Sequence, residues 1–162
     1  MSLLNTMPRL KTLLVLAGAI AGCASAPMKS GALIDQFSRA ACVPARRAEP
    51  NALREWDYLV QPRCNARIVG AQASTGLVSV EFPPDNARRV VADFGEKSNP
   101  VEVRVDPVAC RLYVKANGSP LFTNNPPMWL LEYDLLRREE VQHAIVEPKA
   151  LPTTCAETLD AG

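Results

Sequence analysis

Apolar and polar residues alternate over several stretches of the chain, and this two-residue period predicts β-strands. Val78, Val80 and Phe82 share one side of a predicted strand. The alternation is clearest across residues 101–116, where two alternating runs flank Asp106-Pro107 and predict a hairpin. We therefore expect antiparallel strands to dominate the chain after residue 66.

A last hairpin is expected to run from Trp129 to Val146. If Leu135 pairs with Glu140 around a charged turn, Glu132 lies opposite His143. The side of this hairpin that is expected to face the core carries Trp129, Leu131 and Tyr133. The face that carries Glu132 is mixed in character.

Helical spacing of apolar residues appears at three places. Residues 32–41 predict one helix, and a second short helix is expected after Asn51, a good N-cap residue. Residues 86–95 fit either a helix that ends at Gly95 or a strand, and the helix is slightly favoured. The predicted fold class is α+β, mainly antiparallel β-sheet with one or two short N-terminal helices.

The first residues have the pattern of an export signal. Arg9 and Lys11 precede a short apolar stretch, residues 12–21, which is too short to span a bilayer as a helix. The stretch ends in Ile20-Ala21-Gly22-Cys23, which resembles the lipobox of bacterial lipoproteins. The resemblance implies cleavage before Cys23, lipid on its sulfur and acylation of the new amine. The competing interpretation is an ordinary signal peptide with a chance cysteine.

This resemblance divides the chain into a signal peptide (1–22), a lipidated tether (23–31) and a single globular domain (32–162) with a proline-rich tail. Ala24 follows the cysteine where many inner-membrane lipoproteins of enteric bacteria carry Asp. The expected location is the periplasmic face of a bacterial membrane, with the outer membrane favoured.

Cysteine usage fits an oxidising compartment. Of five cysteines, assigning Cys23 to lipid leaves an even four, Cys42, Cys64, Cys110 and Cys155. They allow three pairings, and we favour Cys42 with Cys64 and Cys110 with Cys155, because the second bond would attach the tail to a strand. A zinc site is not expected, since the CxxC spacing of zinc sites is absent and the chain has one histidine.

The charge balance argues against a nucleic-acid partner. The chain carries eighteen Lys and Arg against seventeen Asp and Glu, and loss of Arg9 and Lys11 would leave the mature chain nearly neutral. Basic residues occur in no run longer than a pair. No phosphate-binding or metal-binding motif accompanies them, and we expect no cofactor.

Candidate catalytic residues are few. His143 is the only histidine and has no nucleophile motif with it, so a cross-strand charge pair is favoured over a catalytic imidazole. Glu132 and Asp134 stand two apart on one strand, and we assign them to its solvated face. The sequence therefore predicts a protein that is not an enzyme.

One apolar, proline-stiffened loop could bind a partner. Phe122, Met128 and Trp129 belong to it, although the lid of a small β-rich core is the commoner role of such a segment. The leading hypothesis is a membrane-tethered envelope accessory that binds or positions a protein partner. The alternative is a periplasmic inhibitor or immunity protein that acts against a cell-wall hydrolase.

Overall fold

The computed structural model describes residues 30–45, 56–61, 63–70, 77–94, 100–117 and 128–155. Helix α1 spans Ser30–Arg39, and a 3₁₀ turn spans Pro148–Ala150. The strands are β1 (Ala41–Cys42), β2 (Asp57–Val60), β3 (Ala66–Val69), β4 (Leu77–Phe82), β5 (Ala87–Asp93), β6 (Pro100–Asp106), β7 (Arg111–Asn117), β8 (Met128–Asp134) and β9 (Glu139–Val146). Among the described residues no helix has the length and apolar character needed to cross a membrane.

The strands form two sheets in which every pairing is antiparallel. A four-stranded sheet has the order β2-β3-β4-β5, and a five-stranded sheet has the order β1-β6-β7-β8-β9. Strands that follow one another in the chain mostly pair with each other, as short connections favour. The predicted fold class, mainly antiparallel sheet with a short N-terminal helix, is confirmed.

The core lies between the two sheets. Alternate side chains of each strand point into it, so the apolar positions of the two-residue period are the buried ones. They include Ile68, Val78, Val80 and Phe82 from one sheet and Val103, Val105, Leu112, Val114, Leu131 and Tyr133 from the other. This placement confirms the core-facing assignments of Leu131 and Tyr133, whereas Trp129 is only partly buried.

Helix α1 covers the other face of the five-stranded sheet. Its residues Leu33, Phe37 and Ala40 recur at helical spacing and pack against Tyr113 and Leu130 of that sheet. Leu33 and Phe37 are 1% and 0% exposed, and burial of each such side chain contributes roughly 1.5–3 kcal/mol. The second helix predicted after Asn51 lies mostly outside the described residues.

The preferred helix over residues 86–95 is wrong, because residues 87–93 form β5. Strand β5 pairs with β4 through a turn that contains Asn86 at a φ of 51°. A Pro-Pro-Asp-Asn turn favours a hairpin, and pairing with β4 satisfies the backbone of the whole segment. A bulge at Val91 disturbs the alternation, which explains why the segment also matched a helical stripe.

The last hairpin exists, but its register differs from the prediction. Strand β8 is joined to β9 by a turn at residues 135–138. The pairing shifts by one residue at a bulge, because Tyr133 pairs with Glu140 whereas Glu132 pairs with Gln142. His143 lies opposite Leu131, while Gln142 lies opposite Glu132. A one-residue change of register moves a side chain to the other face of the sheet, and this places His143 on the side of the core.

All four expected cysteines form disulfides, but the preferred pairing is wrong. Cys64 bonds Cys110, which ties the turn between β2 and β3 to the turn between β6 and β7 and so joins the sheets. Cys42 bonds Cys155, which ties the tail to β1. The tail is attached to a strand as expected, although through a different cysteine.

Candidate functional site

The predicted partner-binding loop does not form one surface. Phe122 lies outside the described residues. Met128 packs on the α1 side of the five-stranded sheet, while Trp129, its neighbour in β8, lines a cleft on the opposite side. Adjacent residues of a strand point to opposite faces, so only one of these two can contribute to a given surface.

The sheet-edge cleft, as we call the opening beside Trp129, has a volume of about 410 Å³. Its walls are residues 90–94 from β5 and its end, together with Trp129, Leu131, Glu140 and His143 from β8 and β9. Apolar side chains form most of this lining. The cleft is therefore suited to bury apolar groups.

The cleft exists because the five-stranded sheet extends beyond the four-stranded one. On β9, Glu140, His143 and Ile145 lie opposite Tyr133, Leu131 and Trp129 and so share the face that looks toward the core. All three are exposed, and Ile145 is 56% exposed. The four-stranded sheet ends at β5, so no described strand covers them.

His143 and Glu140 form a pair at the rim of the cleft. His143 Nδ1 lies 2.5 Å from Glu140 Oε1, and the two side chains are 60% and 46% exposed. Glu132, which the sequence predicted as the partner of His143, instead accepts a hydrogen bond from Gln142 on the other face of the sheet. An exposed pair of this kind contributes roughly 0–1 kcal/mol. The described cleft lining includes no hydroxyl or thiol group that His143 could activate.

A second opening, the helix–sheet cleft, lies between α1 and the outer face of the five-stranded sheet and also has a volume of about 410 Å³. Its walls carry mainly polar side chains, namely Gln36, Arg39, Asp106, Arg111, Tyr113, Glu132 and Gln142, with Ala32, Ala109 and Val141 between them. One cross-strand row, Tyr113, Glu132 and Gln142, forms part of these walls.

The assignment of Glu132 and Asp134 to a solvated face is wrong. Glu132 is 3% and Asp134 is 5% exposed, and both pair with Arg111. Arg111 Nε lies 3.4 Å from Glu132, and Gln142 Nε2 donates to Glu132 Oε2 at 2.6 Å. The pattern of β8 correctly placed both acids on one face but could not show that a helix and other polar side chains surround it.

Two groups beside this cleft have perturbed acidities. Burial raises the pKa of Tyr113 to about 12, and the carboxylates of Glu132 and Asp106 act in the same direction. Burial also opposes ionisation of Asp134, but the N–H groups of Arg137 and Leu136 and the Arg111 side chain outweigh it and lower the pKa of Asp134. Tyr113 is therefore neutral and Asp134 is charged at neutral pH.

A buried ion cluster lies next to the helix–sheet cleft and was not anticipated from the sequence. Glu102, Arg104 and Lys115 are 3%, 6% and 2% exposed. Arg104 Nε donates to Glu102 at 2.5 Å, and Lys115 pairs with the other carboxylate oxygen. The cluster has one negative and two positive charges.

Backbone groups and an aromatic ring hold the surplus positive charge of the cluster. Arg104 donates to the carbonyls of Phe37, Ser38 and Thr153 at 3.2–3.3 Å, and its guanidinium lies 4.5 Å from the Phe37 ring centre. The first two carbonyls belong to the C-terminal turn of α1, where the helix dipole favours a cation. Removal of the charges from water costs free energy that offsets their mutual attraction, so the presence of the cluster does not by itself show that it stabilises the fold.

The ligating atoms of Cys42, Glu102 and Cys155 lie within 4.8 Å of one another. The two sulfurs are bonded to each other and the carboxylate is engaged by Arg104 and Lys115. In this oxidised state the sulfurs are not thiolates, which are the metal-binding form of cysteine.

Comparison with known proteins identified no relative that could indicate the role of these sites. No family model matches the chain, and neither the curated proteins nor the solved structures that were searched include a match to it.

Proposed function

We propose that this chain is a membrane-tethered envelope protein that binds an extended segment of a partner polypeptide in the sheet-edge cleft, without catalysing a reaction. The observation that carries the proposal is the face of β9 that no described strand covers, beside the edge of β5 that pairs with no described strand. A strand supplied by the partner would pair with the edge of β5 and cover the face of β9 at the same time.

By the geometry of β-sheets, such a strand would lie over β9. A strand paired to β5 would lie roughly 4.8 Å from it and about 10 Å from the five-stranded sheet. It would become the fifth strand of the smaller sheet and cover His143 and Ile145. Main-chain hydrogen bonds to β5 would supply affinity, and alternate side chains would enter the cleft.

The cleft favours apolar side chains at those alternate positions. In the cleft lining Val90 is 53% exposed and Trp129 is only partly buried, and Ile145, which lies opposite Trp129 on β9, is 56% exposed. Aromatic residues such as Trp dominate the binding energy of many interfaces when a partner excludes water from them. An apolar anchor on the partner that contacts Trp129 is the contact that we expect to matter most.

The proposed lipid at Cys23 would hold this cleft close to the membrane. Helix α1 begins at Ser30, so residues 24–29 alone separate it from Cys23. Even a fully extended chain would span at most about 25 Å from Cys23 to Ser30. The partner segment is therefore expected to belong to a protein at the periplasmic face of the same membrane, with the outer membrane favoured.

Site-specific photocrosslinking of the lipidated protein in its own cells tests the proposal. A photoreactive amino acid at Ile145 or Val90 should give one discrete protein adduct. Val108 is the matched control, because it is apolar and 75% exposed in the turn between β6 and β7, outside the cleft lining. Absence of a protein adduct, or the same adducts from Val108, would contradict the proposal.

Charge substitutions then connect the adduct to the cleft. Val90→Glu should abolish crosslinking from Ile145, because a carboxylate in an apolar contact is costly to bury. Val108→Glu should leave it unchanged. Identification of the adduct as a cell-wall hydrolase would support the inhibitor or immunity form of the function, whereas a structural or assembly protein would support the accessory form.

A further inference from the structure

The two disulfides differ in their access to solvent. Cys64 and Cys110 are 4% and 1% exposed, and we call their bond the buried disulfide. Cys42 is exposed in β1 and Cys155 is half-buried, and we call their bond the tail disulfide. Thiol–disulfide exchange needs the direct approach of a thiolate to one of the two sulfurs. Access therefore favours reaction at the tail disulfide.

The buried ion cluster lies directly against the tail disulfide. Cys155 Sγ is 2.9 Å from Glu102 Oε1, and Arg104 Nε contacts the same oxygen at 2.5 Å. Lys115 pairs with the other oxygen, so the cluster carries a surplus positive charge. A nearby cation stabilises a thiolate, and a stabilised thiolate leaves a disulfide more readily. Cys155 is therefore the sulfur that is suited to depart when a thiolate attacks Cys42.

Two hydrogen bonds between described residues hold the tail over the cluster beside this disulfide. The carbonyl of Thr153 accepts from Arg104, and Thr154 Oγ1 accepts from Lys115, both at 3.2 Å. Both threonines are exposed, so water competes for these hydrogen bonds. Residues 151–155 belong to no helix or strand, and segments with few buried contacts are the first to open locally. The tail therefore depends on its disulfide to stay in place.

We propose that the tail disulfide is the site at which an external dithiol exchanges with this protein, and that the exchange releases residues 153–155 from the ion cluster. A thiolate of the dithiol attacks Cys42 Sγ, the bond to Cys155 breaks, and Cys155 departs as a thiolate that takes a proton from water. The second thiol of the dithiol then attacks the mixed disulfide and displaces Cys42. The two cysteines gain the two electrons and two protons that the dithiol loses as it becomes a disulfide.

This site is separate from the sheet-edge cleft. Strand β1, which carries Cys42, forms the edge of the five-stranded sheet opposite to β9. The reaction needs a dithiol and no added strand, so its outcome does not depend on whether a polypeptide partner binds at β5. Release of the tail would expose Lys115, which is 2% exposed beneath it, whereas Lys149 is already 81% exposed. The amine reactivity of Lys115 therefore reports the release, and Lys149 is the internal standard.

The first test treats the purified, folded protein with dithiothreitol in the absence of denaturant. New thiols are blocked with iodoacetamide at intervals and located by peptide mass spectrometry. Cys42 and Cys155 should be modified at least roughly tenfold faster than Cys64 and Cys110, because a buried bond reacts only when the fold opens. Glutathione, a monothiol, should be trapped as a mixed disulfide mainly on Cys42. Equal rates for the two disulfides, or a mixed disulfide mainly on Cys155, would overturn the proposed site.

The second test is acetylation of amines with N-hydroxysuccinimide acetate before and after this reduction. Lys115 should react at least roughly tenfold faster after reduction, while Lys149 keeps its rate. The paired variant Cys42→Ser with Cys155→Ser should show the faster Lys115 reaction without dithiothreitol, while its buried disulfide still resists reduction. An unchanged Lys115 rate after selective reduction, an equal rise at Lys149, or loss of that resistance in the variant would overturn local release of the tail.

Discussion

Replacement of Glu102 by Gln is expected to destabilise the fold severely. Glu102 is the only carboxylate of the ion cluster, and both cations contact it. Arg104 keeps three carbonyl acceptors after the change. Among the described residues, Lys115 keeps only Thr154 Oγ1, at 3.2 Å, and the Phe37 ring at 5.6 Å. The uncompensated charge therefore falls on Lys115.

The expected loss in the free energy of unfolding is about 3–5 kcal/mol, the cost of removing one partner from a buried ion pair. Lys115→Met should behave differently, because it removes the surplus cation and leaves Glu102 with Arg104 at 2.5 Å. Its effect should stay within about 1 kcal/mol, since an apolar side chain of similar length often replaces a buried charge without loss. The double variant should recover at least half of the loss.

Urea unfolding at neutral pH with both disulfides intact, followed by tryptophan fluorescence, measures all four proteins of this cycle. A coupling of about 2 kcal/mol or more between the two positions is expected. If Lys115→Met cost as much as Glu102→Gln, or Glu102→Gln cost less than about 1 kcal/mol, the surplus-charge explanation would be refuted.

Three further predictions concern the same sheet face. Because burial raises the pKa of Tyr113 to about 12, its stabilising contribution should be present below pH 10 and lost as the pH rises toward 12. Absorbance titration should show a late tyrosinate signal that Tyr113→Phe reduces, while burial also raises the pKa of Tyr133. Because the pKa of Asp134 is lowered in the fold, Asp134→Asn should cost roughly 1–3 kcal/mol above about pH 4, and acid unfolding curves should show this gap closing as the pH falls further. Leu130 is 0% exposed beneath α1, so Leu130→Ala should lower the free energy of unfolding by roughly 2–5 kcal/mol in the same urea assay. The control is Leu136→Ala, at a 62% exposed turn residue, which should change it by under about 0.5 kcal/mol. A flat pH dependence for either titrating position, or equal costs for the two leucines, would contradict the packing described.

The two-residue period was sufficient to predict β4 and the β6–β7 hairpin, because alternation is a direct consequence of strand geometry. It identifies which residues share a face but not what covers that face. The alternation therefore gives no sign that α1 and the tail bury Glu102 and Arg104. Long-range contacts of this kind have no signal in the local pattern.

The sheet-edge cleft was missed for a related reason. Trp129 and His143 were each considered from the sequence, but their meeting with β5 depends on residues 87–93 being a strand and on the register of β9. A bulge in each hairpin shifts the alternation by one residue, and single-sequence patterns do not locate bulges well. The disulfide pairing was undetermined because any of the three connectivities fits the spacing.

The tail also affects the order in which the domain can be assembled. Thr153 and Thr154 complete the polar shell of Arg104 and Lys115, and Cys155 bonds Cys42 directly after α1. A chain that emerges from its N-terminus during synthesis or export must therefore wait for residues 153–155 before the cluster is closed from water. A truncation before Thr153 would leave two buried cations without part of their shell, so this part of the tail belongs to the folded unit.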